Sequence, residues 1–77
     1  MRTIDNPVIF RENIRKQFLN LVKEERIAEN LEKGIFNSAI QQANEQNILK
    51  KWNNPYFVIL YTSKVRTLLY NLNNEQL

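Results

Sequence analysis

Lys64 and Arg66 are the residues of this chain whose type and spacing point most directly to chemistry. They interrupt an aliphatic helical pattern, Tyr61-Thr-Ser-Lys64-Val-Arg66-Thr-Leu-Leu-Tyr-Asn71-Leu72, that contains no Gly or Pro. Cations placed this way can meet an acidic partner surface or nucleic acid. Positions two apart on a helix are offset by about 200°, so the pair does not share a face. The alternative reading is a pair of solvated side chains whose stems cover apolar surface. A second basic cluster is Lys50-Lys51 beside Trp52. A basic–aromatic cluster of that kind can stack on single-stranded nucleic acid, although two charges and one ring make a small platform. Trp52 has a competing role as a lid folded back on the core, because small domains use every large apolar side chain. Glu24 and Glu25 sit between Lys23 and Arg26 and read as a solvated charge cluster. A general acid–base pair would need burial to shift a pKa.

What is missing narrows the chemistry further. The chain has 0 His and 0 Cys, which removes disulfides, the usual zinc ligands and the common nucleophile–base pairs. Gly occurs only once, so no Gly-rich phosphate loop is possible. The expectation is a protein that is not an enzyme and holds no cofactor. A net charge of +3 and a pI near 9.5 favour an acidic partner or nucleic acid. They fall short of the dense Lys/Arg stripe of a dedicated DNA binder. No apolar run reaches the roughly 20 residues of a membrane helix. The opening Met-Arg-Thr-Ile-Asp-Asn lacks the apolar segment of a signal peptide. The chain reads as soluble and intracellular.

Three elements must position these residues. Asn6-Pro7 is a start signal: Asn suits the N-cap, and Pro suits the first helical position, where its missing N–H would be unpaired anyway. Phe10, Ile14, Phe18, Leu21 and Val22 follow at helical spacing, with Arg11, Glu12, Arg15 and Lys16 assigned to the outer side. The pattern fades at Lys23-Glu24-Glu25. A second helix over Arg26 to Ala43 carries Ala28, Leu31, Ile35 and Ala39 on one face, flanked by Phe36, Ile40 and Ala43. Gly34 lies inside it at a cost of about 1 kcal/mol against Ala, which a close helix–helix approach would explain. Residues Asn44 to Asn54 form a connector. Asn54-Pro55 then repeats the start signal for a third helix whose face is Phe57, Val58, Tyr61, Val65, Leu68, Leu69 and Leu72. Asn71 to Asn74 is the expected end, with Asn71 as a cap. The fold expected is all-α, a three-helix bundle with a short ordered connector before the third helix. One domain spans residues 1–77.

Tyr61, Lys64, Arg66, Thr67, Asn71 and Leu72 together resemble the signature of the central domain of transcription elongation factor S-II (TFIIS). That signature reads Tyr-x-x-Lys-x-Arg, a hydroxyl residue, three variable positions and Asn-Leu. Upstream, Ile27-Ala28-Glu-Asn-Leu31-Glu32-Lys-Gly-Ile35-Phe36 is similar to the family's Ala-x-x-Ile-Glu-x-x-Ile-Phe helix, with Leu31 in place of Ile. Glu32 stands where the family has Glu, in a surface or an intramolecular ion pair. Arg11-Glu-Asn-Ile14-Arg-Lys-Gln-Phe18-Leu19 resembles the opening family helix. The chain departs at Thr62, where the family often has Lys, and at Asn73 and Asn74, where Lys-Asp is common.

The resemblance implies a monomeric module that docks on the largest subunit of a multisubunit RNA polymerase, in its jaw and funnel region. Such a module positions a downstream linker and zinc ribbon that promote transcript cleavage. Zinc is expected only in that ribbon, which would lie outside these residues, so the chain reads as an excerpt of a longer protein. Lys64 and Arg66 are the expected contact residues, with Lys50 and Lys51 in the connector as further candidates. Nucleic acid is expected to be contacted at most indirectly, and no membrane is expected. The implied location is the nucleus, or a cytoplasmic viral factory if the source is a large DNA virus. Two other readings stay open: a small helical nucleic-acid-binding domain, and a relative of this domain in a chromatin-associated interaction protein.

Overall fold

The computed structural model describes residues 4–75, and the remainder of the expected 1–77 domain lies outside the described residues. Three α-helices follow one another: α1 (Pro7–Val22), α2 (Glu25–Glu45) and α3 (Pro55–Glu75). All three pairs of helices pack together, α1 against α2 more extensively than against α3. The all-α three-helix bundle expected from periodicity is the observed architecture. No described helix is long and apolar enough to cross a membrane.

Local chemistry sets the helix limits. The Asn6 side chain accepts a hydrogen bond from the Ile9 N–H at 3.2 Å, and Pro7 occupies the first turn. Asn54 does the same for α3, accepting from the Tyr56 N–H at 3.1 Å while its amide donates to the Leu49 carbonyl at 2.8 Å. One side chain thus caps α3 and ties down the connector. α1 closes at Lys23, which adopts a left-handed conformation (φ 62°) and donates its N–H to the Leu19 carbonyl at 2.8 Å. At the end of α2, Asn47 is left-handed (φ 57°) and Ile48 N–H reaches the Ala43 carbonyl at 2.8 Å. Asn tolerates that conformation better than most residues. These bonds satisfy carbonyls that a helix end would otherwise leave unpaired.

The helices run slightly past the expected limits. α2 continues to Glu45, and α3 continues through Asn71 to Glu75. Asn71 is therefore a mid-helix residue and not a cap. No Gly or Pro follows it to stop the helix, and nothing else in that stretch forces an exit.

The buried centre consists of Ile14 and Phe18 from α1, Ala28, Ile35, Ala39 and Ala43 from α2, and Phe57, Tyr61 and Val65 from α3. Leu31, Phe36, Ile40, Leu68, Leu69 and Leu72 pack around it, half-buried. Trp52 closes one side of the bundle as a lid. Its ring lies 5.2 Å from both Phe57 and Tyr61, 5.8 Å from Phe10 and 6.0 Å from Phe36. The contacts to Phe10, Phe57 and Tyr61 are edge-on and the one to Phe36 is stacked, both favourable arrangements for aromatic rings. The core reading of Trp52 is the one the structure bears out. The Ile4 N–H bonded to the Trp52 carbonyl at 3.2 Å adds a strap across the lid.

Gly34 is not explained by helix packing. A Cβ built on it would meet nothing within 4 Å. The close approach expected from its position does not exist inside this bundle.

Candidate functional site

Where the three helices meet near Trp52, a charged cluster sits inside the apolar core. Glu32 follows Ala28 by four residues and precedes Ile35 by three, so helical geometry places it on the inner face of α2. Its side chain is completely buried. A bare carboxylate there would be prohibitively costly, so its partners decide whether the helix can pack. Arg11 of α1 donates twice, from Nε to Oε2 at 2.6 Å and from Nη2 to Oε1 at 2.9 Å. Tyr61 of α3 donates its hydroxyl to Oε2 at 2.9 Å. Arg15 adds a second cation 3.7 Å from Oε1. The Arg11 guanidinium also lies 3.9 Å from the Phe36 ring centre, a cation–π contact.

This cluster is fully satisfied. Among the described residues no buried side-chain nitrogen or oxygen lacks a partner. The hydrogen bond to Glu32 raises the Arg11 pKa, against the effect of burial. Burial raises that of Tyr61, with the bond to Glu32 acting in the same direction. One carboxylate thus joins all three helices through its bonds to Arg11 and Tyr61.

Arg11 therefore corrects the sequence reading, which put it on the outer side of α1. Of the two roles open to Glu32, it takes the intramolecular ion pair. The signal was present in the pattern: a carboxylate inside the α2 apolar stripe must bring a cation with it. Arg15 likewise leans inward, whereas Glu12 and Lys16 are exposed as expected.

The residues expected to contact a partner fall into separate places. Lys64 is half-buried and Arg66 is exposed, on different faces of α3 as their spacing requires. Lys50 and Lys51 are exposed in the connector. Among the described residues no hydrogen bond or ion pair joins any of these four side chains to another group or to each other.

Arg66 belongs to an outward stripe that the sequence reading did not single out. Tyr56, Ile59, Ser63, Arg66 and Tyr70 recur at alternating steps of three and four residues, which aligns them on one face of a helix. Tyr56 is 70% exposed, Ile59 42% and Tyr70 67%. The stripe runs for about 21 Å along α3. The apolar residues of the buried face dominate the period of this helix and mask the stripe in the sequence. Tyr56 and Tyr70, linked through Ile59, Ser63 and Arg66 by steps of three and four on one face, were the available signal.

Lys64 lines a different feature, a groove of about 620 Å³ between α2 and α3. Leu31, Ile35, Leu60 and Leu68 supply apolar walls, and Gly34 lies in the α2 wall. A smaller depression beside Trp52 brings Arg11, Arg15 and Lys33 together. Its cations are already engaged, two with Glu32 and Lys33 with Glu29 at 2.8 Å. No group of three or more His, Cys, Asp or Glu capable of holding a metal ion is present among the described residues.

Comparison of the chain with protein families, with curated proteins and with solved structures gives no match.

Proposed function

We propose that this chain is a polymerase-docking module resembling the central domain of TFIIS. It anchors on the largest subunit of a multisubunit RNA polymerase and positions a zinc ribbon carried elsewhere in the protein. In this reading it catalyses nothing itself and acts in the nucleus or in a viral factory. The observation that supports it most is the convergence of the three TFIIS-like segments. The first contributes Arg11, the second Glu32 and the third Tyr61, and the three side chains bond to one another. Separate local resemblances have no reason to meet in this way, whereas parts of one inherited domain do.

The faces of α3 refine which residues dock. A single partner surface cannot meet Lys64 and Arg66 together when they point to different sides of one helix. Arg66 has the better setting, on an exposed stripe that also presents Ile59 and Tyr70. Tyr and Arg are the residue types that most often anchor protein interfaces. Lys50 and Lys51 of the connector lie at the rim in this reading.

The test is capture of the cognate polymerase by single variants. Arg66→Gln should weaken binding by about tenfold or more, since a bond to a charged group contributes about 1.5–3 kcal/mol. Lys64→Gln should leave binding within about twofold. Undiminished capture by a folded Arg66→Gln variant removes Arg66 from the docking surface. A loss seen equally with free DNA or RNA, in a binding that salt weakens steeply, favours the nucleic-acid-binding alternative.

A further inference from the structure

Gly34 poses a physical problem that the bundle itself does not solve. Glycine in the middle of a helix costs about 1 kcal/mol relative to alanine. It is usually accommodated because a side chain would collide with a neighbour, yet a Cβ here meets nothing within 4 Å. The space above Gly34 is the groove between α2 and α3. That groove extends from Asn30 to Gln42 on α2 and from Leu60 to Asn71 on α3. Both spans are about 16–18 Å at a rise of 1.5 Å per residue, which is close to three helical turns. Leucine and isoleucine side chains form its walls, and hydroxyl and amide groups form its edges. Its volume, about 620 Å³, lies in the usual range of sites that accept an apolar ligand group.

The groove also has a sign. Among the described residues Lys64 is the one charged residue lining it, and no carboxylate lines it. Of the two acidic residues next to the lining positions of α2, Glu32 is turned into the core and bonded to Arg11 and Tyr61, and Glu29 is paired with Lys33 at 2.8 Å.

We propose that this groove receives a partner's acidic amphipathic helix of about three turns. The helix seats an apolar side chain over Gly34, between Leu31, Ile35, Leu60 and Leu68, and directs a carboxylate to the Lys64 ammonium. Helix-in-groove recognition of this kind uses apolar anchors at helical spacing. Here the fourth helix lies against the α2–α3 pair, and the missing Cβ of residue 34 lets it sit close. The site shares only Ser63 with the Arg66 stripe and does not depend on the polymerase reading.

The test uses an amidated helical peptide of about 14 residues, with leucines along one face and glutamates beside them. A counterpart carries lysines in place of the glutamates. Each is titrated into the whole chain and followed by amide chemical shifts and by calorimetry. The glutamate peptide should bind with a Kd on the order of 10–100 μM, shifting amides near Gly34, Ser38, Ser63 and Thr67. The lysine peptide should bind at least tenfold more weakly. Gly34→Leu, which fills the groove, and Lys64→Glu, which reverses its charge, should each weaken the glutamate peptide by tenfold or more. Gly34→Leu should retain the wild-type helicity, because the position is open. If that variant misfolds, Gly34→Ala and Lys64→Glu carry the test, with a smaller loss for the alanine. Shifts centred on Tyr56, Ile59, Arg66 and Tyr70 and absent at Gly34 and Ser38, equal binding of both peptides, or no effect of either substitution would each overturn the proposal. Retained polymerase capture by Gly34→Leu would leave the docking reading intact whichever way the peptide result falls.

Discussion

Replacing Glu32 with Gln should be the most damaging near-isosteric change available in this domain. The substitution keeps the length of the side chain and removes its charge. Wild-type Glu32 accepts two bonds from Arg11, at 2.6 and 2.9 Å, and one from Tyr61 at 2.9 Å. Gln offers one oxygen in place of two, and its amide group turns donor against donor toward Arg11 or Tyr61. Breaking a buried ion pair by removing one partner typically costs about 3–5 kcal/mol. The Arg11 side chain is 25% exposed, so water can re-solvate part of the orphaned cation. The lower end of that range, about 3 kcal/mol, is the expected loss. For a chain of 77 residues, a total stability of about 4–12 kcal/mol is ordinary. The variant should therefore lose a large part of its stability, with Tm falling by about 12–24 °C at about 4–8 °C per kcal/mol. Urea titration followed by far-UV circular dichroism and by fluorescence of Trp52, the sole tryptophan, measures both. A second variant separates pairing from packing. Arg11→Met, Glu32→Met and Tyr61→Phe together remove the buried carboxylate and its hydrogen-bond donors, leaving only Arg15, whose side chain is part-exposed and can be solvated. That triple variant should be distinctly more stable than Glu32→Gln alone, because an apolar replacement avoids desolvating the ions. A Glu32→Gln protein within about 1 kcal/mol of wild type would refute the claim that this cluster holds the helices together.

Alkaline pH should destabilise the fold through Tyr61. Its folded-state pKa is raised above the ordinary 10.0, so the folded protein retains a proton that the unfolded chain releases. Stability is then unaffected below about pH 10 and falls as pH rises beyond it. Tyr61→Phe should flatten that decline, and parallel stability–pH curves for the two proteins would contradict it. Trp52→Ala should cost about 3–5 kcal/mol, because four rings lose their common neighbour; a loss below 1 kcal/mol by urea denaturation would mean that the lid is dispensable. Asn54→Ala should cost about 1–2 kcal/mol, the upper part of the usual range for a cap, because the same side chain also anchors the Leu49 carbonyl. Native-state hydrogen exchange should show faster opening at residues 50–57 than in the rest of the bundle, and a uniform change would argue against a local tie.

The helices and their inner faces were legible in the residues alone. Asn6-Pro7 and Asn54-Pro55 mark two starts because cap geometry and the fixed φ of proline are local properties. Apolar spacing identified Ile14, Phe18, Ile35, Phe57 and Val65 as core for the same reason: a helix repeats on a period that the sequence must follow. The offset between Lys64 and Arg66 was equally local, since two residues on one helix have a fixed angular relation.

Tertiary structure decided what depended on two or more helices at once. Arg11 lies on the flank of its own helix and becomes an interior group only because α2 brings Glu32 to it, 21 residues away. Periodicity within α1 carries no trace of that distance. Gly34 was equally ambiguous, since helical spacing cannot say whether the place beside it is filled or open. The α2–α3 groove and the Tyr56–Tyr70 stripe are properties of surface left over after packing. A single helix has many faces, and only the arrangement of its neighbours settles which of them remain free.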